Sequence, residues 1–135
     1  MPTLLLDEPI RAFLETPRIA YLSTIDLNGF PHTVPVWFAV DGDDLITSAT
    51  AGRARVKHIQ ANPNGSIVMG GNLEETEGYL FKGTIRIEDD PSHTLLTQII
   101  RRYMGDAGVE PFLARVGQDE RLIFRLTPTK ILKVR

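Results

Sequence analysis

Residues 20–63 read AYLSTIDLNGFPHTVPVWFAVDGDDLITSATAGRARVKHIQANP, and the fold is read outward from them. Asp26-Leu27-Asn28-Gly29 is a hairpin turn, with Gly29 free to take positive φ. Before it, Arg18 to Ile25 is rich in β-formers and apolar on both faces, the pattern of a central strand. After it, Phe30 to Val40 alternates. His32, Val34, Val36, Phe38 and Val40 fall on one face, and Pro31, Thr33, Pro35, Trp37 and Ala39 on the other. Asp41-Gly42-Asp43-Asp44 turns the chain into a further strand, Leu45 to Ser48. Two short hairpins in succession read as an antiparallel meander.

The rest of the chain fits around that start. Asp7 caps a first short helix, with Pro9 in its first turn, Ile10, Phe13 and Leu14 on one face, and Pro17 as its stop. Val56, Ile59 and Gln60 recur at helical spacing, so Arg53 to Ala61 is a helix ended by Asn62-Pro63-Asn64-Gly65. Ser66 to Met69 and Tyr79 to Glu88 read as strands. Asp90 or Ser92 opens a longer helix through about Tyr103, and Val109 to Val116 is a short one. Leu122 to Leu126 and Ile131 to Val134 close the chain as two strands. The fold class is mainly β, within α+β: six or seven antiparallel strands with short flanking helices, as a β-barrel or sandwich.

Size and composition bound the function. A chain of 135 residues is read as one domain, residues 1–135, with room for a proper core. The net charge of −2 argues against general nucleic-acid binding. No apolar run is long enough to span a membrane, and the run MPTLLLDEP lacks the basic lead of a signal peptide. The absence of cysteine removes disulfides and thiol chemistry and fits a cytoplasmic protein.

Chemistry concentrates in residues 45–73, a window without Asp or Glu in a slightly acidic chain. Its charges are Arg53, Arg55 and Lys57, beside Gly52 and the hydroxyls of Thr47, Ser48 and Thr50. A helix beginning near Arg53 puts Arg53 and Lys57 one turn apart on one face, with Arg55 pointing elsewhere. Free N–H groups at the helix start, its dipole and two cations together suit a phosphate dianion. The same residues also read as an ordinary solvated helix face. His32, His58 and His93 are too far apart in sequence for a metal motif. His32 reads as a strand residue near the core and His58 as a helix-surface residue. Glu74, Glu75 and Glu77 read as a solvated turn, and Gly70-Gly71-Asn72 as a turn or a place of close approach.

These elements, taken in order, resemble the pyridoxamine-5′-phosphate-oxidase-like flavoproteins, which have the FMN-binding split β-barrel fold. The resemblance rests on Leu22 to Thr24, Asn28-Gly29-Phe30-Pro31, Val34-Pro35-Val36-Trp37-Phe38, Asp41-Gly42, Thr47-Ser48, the basic segment Arg53 to Lys57, and Asn62-Pro63. It implies a homodimer with cofactor at the subunit interface. It also implies that Pro35, Val36 and Trp37 run along the cofactor ring, that Thr47 and Ser48 meet its ribityl chain or phosphate, and that Arg53, Arg55 and Lys57 bind the phosphate. Trp37 has a second reading, as an aromatic filling the core or the dimer interface. The family includes FMN users, users of the deazaflavin F420, and haem or tetrapyrrole binders. The C-terminal Arg and His that grip substrate phosphate in vitamin B6 oxidases have no match here, since no His follows His93. The expectation is therefore an FMN-dependent oxidoreductase of the small reductase branch. The alternatives are an F420-dependent reductase or a non-catalytic cofactor- or haem-binding protein.

Overall fold

The computed structural model describes residues 5–116 and 119–134; of the N-terminal run read above, Met1 to Leu4 lie outside them. The described elements are α1 (Glu8–Leu14), β1 (Ala20–Ile25), β2 (Pro31–Val36), β3 (Ala39–Asp41), β4 (Asp44–Thr50), α2 (Ala54–Ala61), β5 (Asn64–Gly70), β6 (Gly78–Asp89), α3 (Thr94–Met104), α4 (Asp106–Val116) and β7 (Arg121–Lys133). The strands form one seven-stranded sheet in the order β2-β1-β5-β6-β7-β4-β3. Every neighbouring pair is antiparallel.

That order dictates the shape. β2 and β3 are consecutive in the chain yet sit at opposite edges, with only Trp37 and Phe38 between them. Three Cα steps hold Val36 and Ala39 within about 11 Å of each other. A flat sheet with strands about 4.8 Å apart would separate its outermost strands by about 29 Å. The sheet therefore rolls up, leaving a seam between β2 and β3: a split β-barrel.

The continuous strand expected from Phe30 to Val40 is thus broken at Trp37-Phe38, and the expected meander becomes two hairpins at opposite edges. Alternation ran unbroken through both pieces, so the pattern carried no sign of the change of partner. The two expected C-terminal strands are one, β7. It runs through Pro128, which faces Gly83 at a bulge beside Lys82. A Cβ on Gly83 would lie 2.0 Å from the Thr127 carbonyl oxygen, so only glycine fits that approach. Asn64 and Gly65, read as a turn, begin β5. The Asp26 turn is as expected: its carboxylate accepts from the Asn28 and Phe30 N–H groups, and Gly29 has φ 87°.

Register sorts the side chains into two faces. Val34, Leu22, Ile67, Phe81 and Ile131 lie directly opposite one another across β2, β1, β5, β6 and β7 and face the interior. One residue along, Pro35, Tyr21, Val68, Leu80 and Leu132 make a second row on the outer face. Tyr21 is 47% exposed and Leu132 38% exposed. Arg18 to Ile25 is therefore apolar on both sides as expected, but it is the second strand from an edge, and its outer face is open. Leu45, Phe124 and Leu126 complete the interior, with Phe13 and Leu14 of α1 and Ile59 of α2 packed against it.

A smaller core lies outside the barrel. Ile99 of α3 packs on Ala39, Ile46 and Ile123. Asp90 positions α3 by accepting from the N–H groups of Leu95 and Leu96 at its start. α4 follows Gly105 and joins α3 through Leu96, Ile100 and Val109. No helix of the described residues is long and apolar enough to cross a membrane.

Candidate functional site

Period-2 alternation on β4 and β7 sends Thr47, Phe124 and Leu126 inward and Ser48, Ile123 and Arg121 outward, toward α3. A cavity of about 230 Å³ lies in that outer layer. Ser48 and Arg121 line it from the sheet, and Leu96, Ile99 and Ile100 from α3. Phe112 of α4 and Pro35, Val36 and Trp37 at the seam add to its wall. Arg55 enters from the second position of α2.

The cavity's polar atoms are unpaired. Ser48 Oγ, Arg55 Nε and Arg121 Nε are each buried without a hydrogen-bond partner. Among the described residues, neither Arg55 nor Arg121 ion-pairs with a carboxylate within 4.0 Å. Other arginines show the contrast. Arg125 is held by Asp41, Asp44 and Glu88, and Arg18 by Glu75 through both carboxylate oxygens. Burial lowers the pKa of Arg55, with a further push from Arg53. Burial also lowers that of Arg121, opposed by Asp119 and aided by Arg53. Buried polar groups are normally satisfied, and these three, around one cavity, are the atoms there that could bond to a bound group. The start of α2 adds to this: no side chain caps it, and its first turn has no acid.

The sequence-expected residues divide. Pro35, Val36, Trp37, Ser48 and Arg55 come together at the cavity. Thr47 sits one residue from Ser48 but points to the barrel interior, where its Oγ1 is also without a partner. Arg53 stands at the N-cap position of α2 without a side-chain capping bond and lines a separate cleft with Thr50, Gly52 and Glu120. Lys57 is exposed on the helix. Arg55 does point away from Arg53 and Lys57, and that direction leads into the cavity. Trp37 lies flat on Tyr103, with centroids 4.7 Å apart, and tilts against Phe112 at 5.8 Å. One face of its ring is therefore already covered. Arg121 was missed. Its signal was the alternation of RLIFRL, which places Arg121 on the same face as Ile123, a fully buried residue.

The remaining candidates have structural roles. His58, expected on the helix surface, is 7% exposed. Its Nδ1 is 2.9 Å from the hydroxyl of Thr24, itself fully buried, because α2 packs that face on β1. His32 meets the His58 ring edge-to-face at 5.0 Å. In the acidic loop, Glu75 holds Arg18 and Glu77 accepts from the Tyr79 hydroxyl. Asn72 turns that loop by accepting from the Glu74 and Glu75 N–H groups. A larger cleft of about 350 Å³ between α1, β3 and α3 holds Arg102, which donates to the Leu14 carbonyl and lies over the Phe38 ring.

Comparison with known proteins agrees with this architecture. A sequence model of the family described as pyridoxamine 5′-phosphate oxidase matches residues 6–135. No curated protein matches the chain in sequence. A solved structure named F420 reductase is 25% identical, with 93% of this chain and 98% of that one covered and a TM-score of 0.78. The conserved hypothetical protein Rv2991 from Mycobacterium tuberculosis is 20% identical over 98% of this chain and 87% of its own, with a TM-score of 0.78. The haem storage protein HutZ from Vibrio cholerae is 17% identical over 95% of this chain and 94% of its own, with a TM-score of 0.68.

Proposed function

The chain belongs to the pyridoxamine 5′-phosphate oxidase family, and we propose that it is an FMN-dependent oxidoreductase acting as a homodimer. The observation that carries this reading is the trio of unpartnered polar atoms, Ser48 Oγ, Arg55 Nε and Arg121 Nε, around one cavity. FMN, when bound, supplies hydride transfer at its ring, so the protein needs no nucleophile of its own. Arg55 and Arg121 hold the phosphate, Ser48 donates to it or to the ribityl chain, and Arg53 and Lys57 add positive field at the rim. Thr47 supports the same strand end from the barrel side. Pro35, Val36 and Trp37 flank the ring.

A cavity of about 230 Å³ is smaller than the sites that enclose whole ligands of this size, about 300–1,000 Å³. In this reading it takes the phosphate end, and the ring lies at the mouth beside Pro35. That residue also begins the outer apolar row that continues through Tyr21, Val68, Leu80 and Leu132. Such a row calls for cover, and a second copy placed there would close over the ring.

F420 is the second reading, favoured by the 25% identity to the F420 reductase structure. An acidic tail would need further cations. Arg18 is taken by Glu75, but Lys82 and Lys130 lie opposite each other in register and are both exposed. Spectra taken during titration of the purified protein with FMN and with F420 test both readings. Tighter binding of FMN, with bands near 370 and 450 nm, is expected by general flavin chemistry. F420 binding at least about tenfold tighter, about 1.4 kcal/mol, would reverse the assignment. A Soret band on haem addition with no flavin binding would overturn both.

A further inference from the structure

We propose that Arg55 and Arg121 make this cavity selective for a phosphate monoester in its dianionic form over any phosphodiester, an inference that rests on the cofactor reading above. The argument is one of charge and of oxygen count. Two guanidinium groups, from α2 and β7, face one cavity of about 230 Å³ with no carboxylate in ion-pair range among the described residues. Behind them Arg53 adds to the positive field, while Arg121 also borders an outer cleft with Asp89, Asp90, His93, Asp119 and Glu120, of which Asp119 opposes the effect of burial on its charge. α3 and α4 present Leu96, Ile99, Ile100 and Phe112, and the seam presents Trp37, so among the described residues no other titratable side chain lines the wall.

A monoanion neutralises one of the two cations and leaves the other desolvated and unpaired, which is costly. A dianion neutralises both. A phosphate monoester has a second pKa of about 6 and is mostly dianionic above that pH. It also has three terminal oxygens, enough for two guanidinium forks. A diester keeps a single charge at every working pH and offers two free oxygens. It must also continue past the phosphate, which a small cavity lined by Leu96, Ile99 and Ile100 of α3 leaves little room for. FMN ends in a monoester. The phosphate of F420 is a diester joined to its tail, and that of FAD is likewise bridged. The cavity thus discriminates among flavins at the end farthest from the reacting ring.

Phenyl phosphate and methyl phenyl phosphate share a ring and differ by one methyl group and one charge. Calorimetric titration of the protein with each is to be run at about pH 8 and about pH 5, either side of the monoester's second ionisation. At the higher pH the monoester is expected to bind about ten- to a hundredfold tighter. The ratio should shrink at the lower pH. Arg121→Gln and Arg55→Gln should each reduce it, with melting curves reporting that each variant folds. Equal binding of the two esters, no binding of either, or a ratio unchanged in both variants overturns the proposal. If FMN fails to bind while the monoester preference persists, the flavin reading falls and this inference stands. If FMN binds while the two esters tie, the outcome is the reverse.

Discussion

The indole of Trp37 lies flat on the ring of Tyr103, with their planes within 4° of each other. The same tyrosine spans the barrel's seam. Its hydroxyl accepts from the Phe38 N–H at 3.1 Å and donates to the Arg18 carbonyl at 2.7 Å. Burial raises its pKa, so it stays a neutral donor. One side chain thus ties the β2–β3 crossing to the entry of β1. Tyr103→Phe keeps the stack and removes both bonds, leaving a buried N–H and a carbonyl unpaired. Urea denaturation is expected to show a loss of about 1–3 kcal/mol, with the Trp37 emission maximum of the folded state unmoved. An unchanged midpoint would remove the tether from the account.

Cofactor affinity should depend on the cavity arginines more than on the rim. Arg55→Gln is expected to weaken FMN binding by about ten- to a hundredfold, the worth of one charge-assisted contact at about 1.5–3 kcal/mol. Arg53→Ala and Lys57→Ala act through solvent and should each cost about 1 kcal/mol or less. Flavin fluorescence titration reads all three. A larger loss at Lys57 than at Arg55 would move the phosphate onto the exposed face of α2.

The outer apolar row supplies the dimer test. Light scattering is expected to give twice the 15.1 kDa chain mass at micromolar concentration. Leu80→Glu places a charge within the row, between Val68 and Leu132. It should shift the protein to monomer and weaken FMN binding with it. A dimer that survives this change is built on another face.

Acid stability has one identifiable contributor. The Phe30 N–H, with help from Asn28, lowers the pKa of Asp26 below its ordinary value of 3.8. A carboxylate depressed by folding stabilises the native state above its unfolded pKa and loses that contribution as pH falls through the folded one. Stability should therefore drop from about pH 4 downward. In Asp26→Asn the side chain still accepts from both N–H groups but no longer titrates. Its melting temperature should decline less steeply over that range than the parent's.

Local chemistry was legible in the sequence, and long-range pairing was not. The Asp26 turn, the Asp7 cap and the Asp90 start of α3 each depend on a few neighbouring residues, and each formed where such residues stood. The break at Trp37-Phe38 was hidden because both pieces keep the same alternation; only their partners differ. The cationic cluster singled out the segment that carries Arg55 to the cavity. Yet helix geometry alone could not say that the residue pointing away from the cluster, Arg55, points into a cavity. Arg121 comes from the far end of the chain, and β4–β7 pairing brings it beside Ser48. His58 was misjudged for a similar reason: its burial depends on Thr24, which no spacing within the helix reveals.

The two-residue crossing at Trp37-Phe38 also bears on how this chain reaches its native state. The β1–β2 and β3–β4 hairpins are each local and can form early, on the microsecond scale of about 1–10 μs. β4, however, must wait for β7, some seventy residues further along the chain, before the sheet has both of its edges. Until then the short crossing holds two finished hairpins beside each other with no sheet between them. Such non-local pairing is expected to slow folding relative to the two local hairpins. During synthesis, the exposed edges of β1 and β4 are the surfaces at risk of pairing with a neighbouring chain.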